Sequence, residues 1–91
     1  MAKALEIGDT DRTGTFQIMD TNWDGNGGLR VTVRDNRGTG NSATPRTDLA
    51  SMRRLARRAS SHPEDTKRSP VIRRFTADGA DHITFNVSRI A

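Results

Sequence analysis

The chain has 91 residues, 32% of them hydrophobic and 4% aromatic, with a net charge of +4 and neither cysteine nor tyrosine. This length fits one domain, 1–91, whose small core leaves self-association as a homodimer open, and the lack of cysteine excludes disulfides, zinc thiolates and cysteine nucleophiles. No apolar run approaches the roughly 18 residues of a membrane span, and the N-terminal MAKALEIGDTD has no apolar signal stretch, so a soluble, cytoplasmic protein is expected.

Leu5 and Ile7 alternate with polar neighbours and predict a first strand at about 3–8, followed by the turn GDTDRTG. Phe16 and Ile18 alternate in the same way and predict a second strand over 14–20. The segment 20–28 is dense in turn residues, including the Asp24-Gly25 and Asn26-Gly27 dipeptides that favour left-handed hairpin turns. Leu29, Val31 and Val33 point one way and Arg30, Thr32 and Arg34 the other, a period-two strand. The run NRGTGNSATP, 36–45, is expected as a flexible loop.

Thr47 or Asp48 is suited to cap a helix over 47–60. At 100° per residue, Leu49, Met52, Leu55, Ala56 and Ala59 fall within about 120° of arc, and Arg53, Arg57, Arg54 and Arg58 take the next 140° or so. The helix is therefore amphipathic, with apolar and arginine stripes side by side. His62-Pro63 ends it, and 61–69 reads as a second exposed loop. Residues 70–76 predict a fourth strand, Ala77-Asp-Gly-Ala-Asp81 a hairpin turn, and Ile83, Phe85 and Val87 a fifth strand. The order is β-β-β-α-β-β, an α+β fold: a two-layer sandwich or half-barrel with a mostly antiparallel five-stranded sheet. Leu5, Ile7, Phe16, Ile18, Val31, Val33, Phe75, Ile83, Phe85 and Val87 are expected on the face against the helix. Thr15, Gln17, Arg30, Thr32, Arg34, Thr84, Asn86 and Ser88 are expected on a wet face.

Charge is distributed unevenly. Residues 1–28 hold two basic groups against five acids, whereas 46–74 hold nine basic groups against three acids. Thirteen of the fifteen basic residues are arginine, the planar, bidentate partner of phosphate and carboxylate. Arg53, Arg54, Arg57 and Arg58 repel one another at helical spacing, and an anionic partner would relieve that repulsion. Arg73 and Arg74 extend the basic region into the fourth strand. Arg30 and Arg34, flanked by threonine, lie on one side of a strand. Such a surface can enter a major groove and read guanine edges. The strands and helix of 14–60 resemble, in order and patterning, the three-stranded, sheet-reading DNA-binding domains of the integrase-arm type. Two further strands after the helix depart from that pattern.

Other features carry less chemistry. Asp20, Asn22, Asp24 and Gly25 match the first half of a calcium loop, but Val31 stands where the bidentate glutamate belongs, so no calcium binding is expected. His62 and His82 are the only histidines, and no nucleophile elbow or phosphate loop is present, so neither catalysis nor a cofactor is expected. Trp23, the sole tryptophan, is a candidate partner anchor. These readings converge on a small non-enzymatic module binding nucleic acid, with duplex favoured by the shortage of aromatics for stacking. The alternative is a small phage- or plasmid-type inhibitor or regulator that docks on an acidic surface of a larger protein.

Overall fold

The structure, a computed structural model, describes residues 4–23, 28–39, 46–60 and 68–88. Asp24 and Gly25 of the calcium-like segment, His62, and most of the two long predicted loops lie outside the described residues. The elements are β1 (Phe16–Trp23), β2 (Gly28–Asp35), α1 (Arg46–Arg57), β3 (Val71–Ala77) and β4 (Ala80–Ser88). All pairings are antiparallel and the strand order is β1-β2-β4-β3. The α+β class holds, but the sheet has four strands and the order is β-β-α-β-β.

The strand expected over 3–8 is replaced by a knotted run of local bonds. Asp9 Oδ2 accepts the Glu6 N–H at 2.7 Å, the Asp9 N–H donates to the Glu6 carbonyl, and Gly8 takes φ +97°. Aspartate that captures nearby backbone donors competes with a ladder. The segment meets β1 through bonds of Gly8 and Asp9 to Ile18 and of Asp11 to Phe16, and through an isolated bridge from Thr10 to Gln17. Farther upstream, the Leu5 N–H donates to the Arg58 carbonyl at 2.8 Å, satisfying a group at the end of the helix. Leu5 packs partly against the core, but Ile7 is exposed.

The helix begins at Arg46, so Thr47 and Asp48 both lie in its first turn. It ends at Arg57, because the N–H groups of Arg58, Ala59 and Ser60 bond three residues back and tighten the chain. Met52, Leu55 and Ala56 are buried and Leu49 and Ala59 partly so, while Arg54 and Arg58 are exposed, as the helical spacing predicts. This apolar face lies on Phe16, Ile18, Leu29, Val31, Val33, Ile83, Phe85 and Val87 of the sheet. No helix among the described residues is long and apolar enough to cross a membrane.

Both edge strands carry a bulge. In β1 the register shifts between Ile18 and Asp20, so Asp20 pairs with Thr32 and Asn22 with Arg30. Without that extra residue Asp20 would face the core. The strand thereby continues to Trp23, and Asp20 and Asn22 are strand residues instead of loop ligands. In β3 the shift between Val71 and Arg73 moves Arg73 opposite Thr84 and Phe75 opposite His82. Phe75 is therefore on the face away from the helix, and the core position expected for it is wrong. One inserted residue exchanges the faces of everything that follows it.

The β3–β4 hairpin turns through Asp78 (φ 51°) and Gly79 (φ 73°), the two left-handed residues of a type I′ turn. A Cβ on Gly79 would meet open space, so its cost is conformational. Gly79→Ala should lower stability by about 1 kcal/mol, a fall of roughly 4–8 °C in Tm. An unchanged melting curve would contradict this turn.

Candidate functional site

The side of the sheet opposite α1 is not covered by any described helix. Across its two central strands Arg30 faces Asn86, Thr32 faces Thr84 and Arg34 faces His82, with Gln17 of β1 beside Arg34. Thr32 and Thr84 share a hydrogen bond of 2.9 Å between their hydroxyls. Along the β3 side, the Arg73 guanidinium sits 4.5 Å from the Phe75 ring centroid, and that ring stacks on His82 at 4.9 Å and 14°. Arg73, Phe75, His82 and Arg34 thus form a row across three strands. The His82 ring is buried and its Nδ1 donates to the Ala80 carbonyl at 3.0 Å, so it is a packed ring. Buried Nε of Arg34 has no hydrogen-bond partner among the described residues. Asp20, at the β1 margin, is the acid that the register places on this face. Three arginines against one carboxylate leave it cationic.

The four helix arginines do not act as one set. Arg53 Nε donates to the Ser69 carbonyl at 3.0 Å and its guanidinium lies 5.5 Å from the Phe85 ring centroid. Arg57 Nε donates to Ser69 Oγ at 3.1 Å. Ser69 is buried and has φ 42°, so these two arginines hold the chain in an uncommon conformation just before β3. Both side chains are thus engaged within the fold, and glutamine at 53 and 57 should loosen that segment. Arg54 and Arg58 point to the other flank of the helix. There they line a cleft of about 360 Å³ with Arg12, Asp11, Thr13, Ser51 and Leu55. Arg74 is exposed on β3 opposite Ile83, outside the row on the open face.

Two features escaped the sequence. Arg12 sits in a turn with no periodicity to mark it. Arg37, within a predicted loop, forms the main ionic cluster of the described residues. Its Nε and Nη2 each donate to Asp35 at 2.9 Å, and Nη2 also donates to Asp48 at 2.8 Å. The chain after β2 is thereby tied to the first turn of α1. Burial by itself pushes the Asp35 carboxyl up, but the side-chain and backbone donors of Arg37, aided by its charge, outweigh it and hold Asp35 below the ordinary value of 3.8. Arg37 is raised in turn, by Asp35 first and Asp48 second. A depressed carboxylate stabilises the fold above its unfolded pKa and loses that contribution as the pH falls through the folded value. Asp35→Asn should therefore flatten the decline of Tm below about pH 4. Parallel Tm–pH curves for the variant and wild type would count against the cluster.

Trp23 ends β1 exposed, at 61%, and Ile7 beside it is exposed at 58%. With Ala4, Leu5, Glu6, Thr21, Leu29 and Ala59 they border a groove of about 440 Å³ at the end of the molecule near the helix C-terminus. Among the described residues, no group of three or more histidine, aspartate or glutamate side chains is placed to hold a metal ion. No protein-family model, curated protein or solved structure was found to match the chain.

Proposed function

We propose that the protein is a small, non-enzymatic nucleic-acid-binding module, acting in the cytoplasm, that lays the open face of its sheet against a duplex. The observation that carries this reading is the uncovered face with Arg30, Arg34 and Arg73 among Thr32, Thr84, Asn86 and Gln17. Arginine and threonine on adjacent strands supply phosphate contacts and base-edge donors at groove depth. Phe75 supports the same reading less directly: stacked on His82 and roofed by Arg73, it is engaged within the protein and does not serve as a free platform for unpaired bases. A mobility-shift titration with duplex and single-stranded DNA at two salt concentrations tests the proposal. Duplex should bind more tightly, and its affinity should fall steeply with salt. Absence of binding to either at low salt ends this reading.

A second reading is favoured by one observation, the exposed apolar pair Trp23 and Ile7 beside a groove of mixed polarity. An inhibitor or regulator docking on a larger protein would use Trp23 as its anchor. Trp23→Ala should abolish recovery of such a partner while leaving duplex binding as it was.

A further inference from the structure

The open sheet face and the Arg54–Arg58 flank of α1 belong to different layers. Arg30 and Arg34 alternate along β2 with Leu29, Val31 and Val33, and it is the latter that meet the helix. A duplex lying on the sheet therefore has the core between it and the helix. The smallest extent of the molecule is 22 Å. A major groove about 12 Å wide cannot enclose both surfaces.

The cleft on the helix flank has its own chemistry. Arg12, Arg54 and Arg58 converge on it, all exposed, and none of their guanidinium groups has an ion pair or hydrogen bond to another described residue. Its only acid, Asp11, is occupied by its own loop. Asp11 Oδ1 accepts from the Phe16 N–H at 3.3 Å, and both carboxylate oxygens lie 3.2 Å from the Thr13 hydroxyl. Three guanidinium groups against one engaged carboxylate form a pocket for a multiply charged oxyanion. Leu55 lines the cleft with the hydroxyl-bearing Thr13 and Ser51.

We infer that one chain carries two separate phosphate-binding surfaces, the sheet face and the Arg12–Arg54–Arg58 cleft on the helix flank, and that it bridges two duplex segments. This rests on the duplex-binding reading of the sheet face. The charge of the cleft complements the phosphate backbone, and the pocket offers little aromatic or base-reading surface, so the second duplex would be held without regard to sequence. A single folded chain would then act as a cross-link.

The test uses short duplexes in excess over protein at about 50 mM salt. One pool carries a fluorescence donor and the other an acceptor. Wild type should bind two duplexes per chain and give energy transfer between the pools. Arg54→Gln with Arg58→Gln, and separately Arg30→Gln with Arg34→Gln, should each reduce the count to one and cut transfer at least tenfold. Arg68→Gln with Arg74→Gln removes the same charge outside the row on the open face and outside the cleft, and should keep both. One duplex per wild-type chain overturns the inference alone. Transfer that survives in the Arg54/Arg58 variant also overturns it, because bridging would then come from association of two chains. No duplex bound by wild type overturns the duplex-binding reading and the bridging with it.

Discussion

Replacing Arg30 and Arg34 together by glutamine should weaken duplex binding at least about 25-fold. Each well-placed arginine contact to a base edge is worth roughly 1–3 kcal/mol, and glutamine keeps the shape of the stem while losing the charge. Arg30, opposite Asn86, and Arg34, opposite His82, both stand on a central strand, where register is fixed from both sides. The variant should also discriminate less between sequences, because these two are the arginines on the middle of the sheet. Arg73→Gln should behave differently. Placed toward the edge and over Phe75, Arg73 suits a phosphate contact. Its loss should weaken all sequences alike and reduce the slope of log affinity against log salt by roughly 0.9. Equal affinities and equal slopes for wild type and both variants would remove the sheet face from the interface.

Met52→Asp should abolish folding altogether. Met52 is 1% exposed, in a core assembled from one helix and one face of a four-stranded sheet. A small domain has about 5–15 kcal/mol of stability in total, and an unpaired carboxylate at such a site costs several kcal/mol even after it takes up a proton. Arg54→Asp, two residues farther along the same helix and facing solvent, should fold normally. Circular dichroism and the refolding yield of the two variants separate a packing effect from a general intolerance of acid in the helix. A cooperative melt for Met52→Asp near that of wild type would refute the packing of α1 on the sheet.

The helix face and the alternation of β2 were legible because each is set by local periodicity with nothing to interrupt it. Leu49, Met52, Leu55 and Ala56 share an arc in any helix, and Leu29, Val31 and Val33 share a side of any flat strand. The N-terminal segment was not legible, because Leu5 and Ile7 carry a strand-like pattern while Asp9 and Gly8 bend the backbone that would have to pair. Phe75 was placed on the wrong face for a different reason. A bulge at residue 72 changes parity without changing composition. Of the candidate binding residues, the pattern correctly separated Arg30 and Arg34 from the core side of their strand. It could not separate Arg53 and Arg57 from Arg54 and Arg58, since the partner that distinguishes them, Ser69, arrives from a distant part of the chain. The link from Arg37 to Asp35 and Asp48 is hidden in the same way.

The strand order has a consequence for how the chain reaches this shape. Each outer strand is a close sequence neighbour of the inner strand it pairs with, so β1 with β2 and β3 with β4 can form early as separate hairpins. The seam between them is long-range, joining residues as far apart as Thr32 and Thr84, 52 positions away. Closing a loop of that length costs about 3–4 kcal/mol of chain entropy before any core contact across it is gained. Zipping of β2 against β4 is thus the kinetic bottleneck, and the helix, spanning the gap between the two hairpins, is positioned to shorten the search.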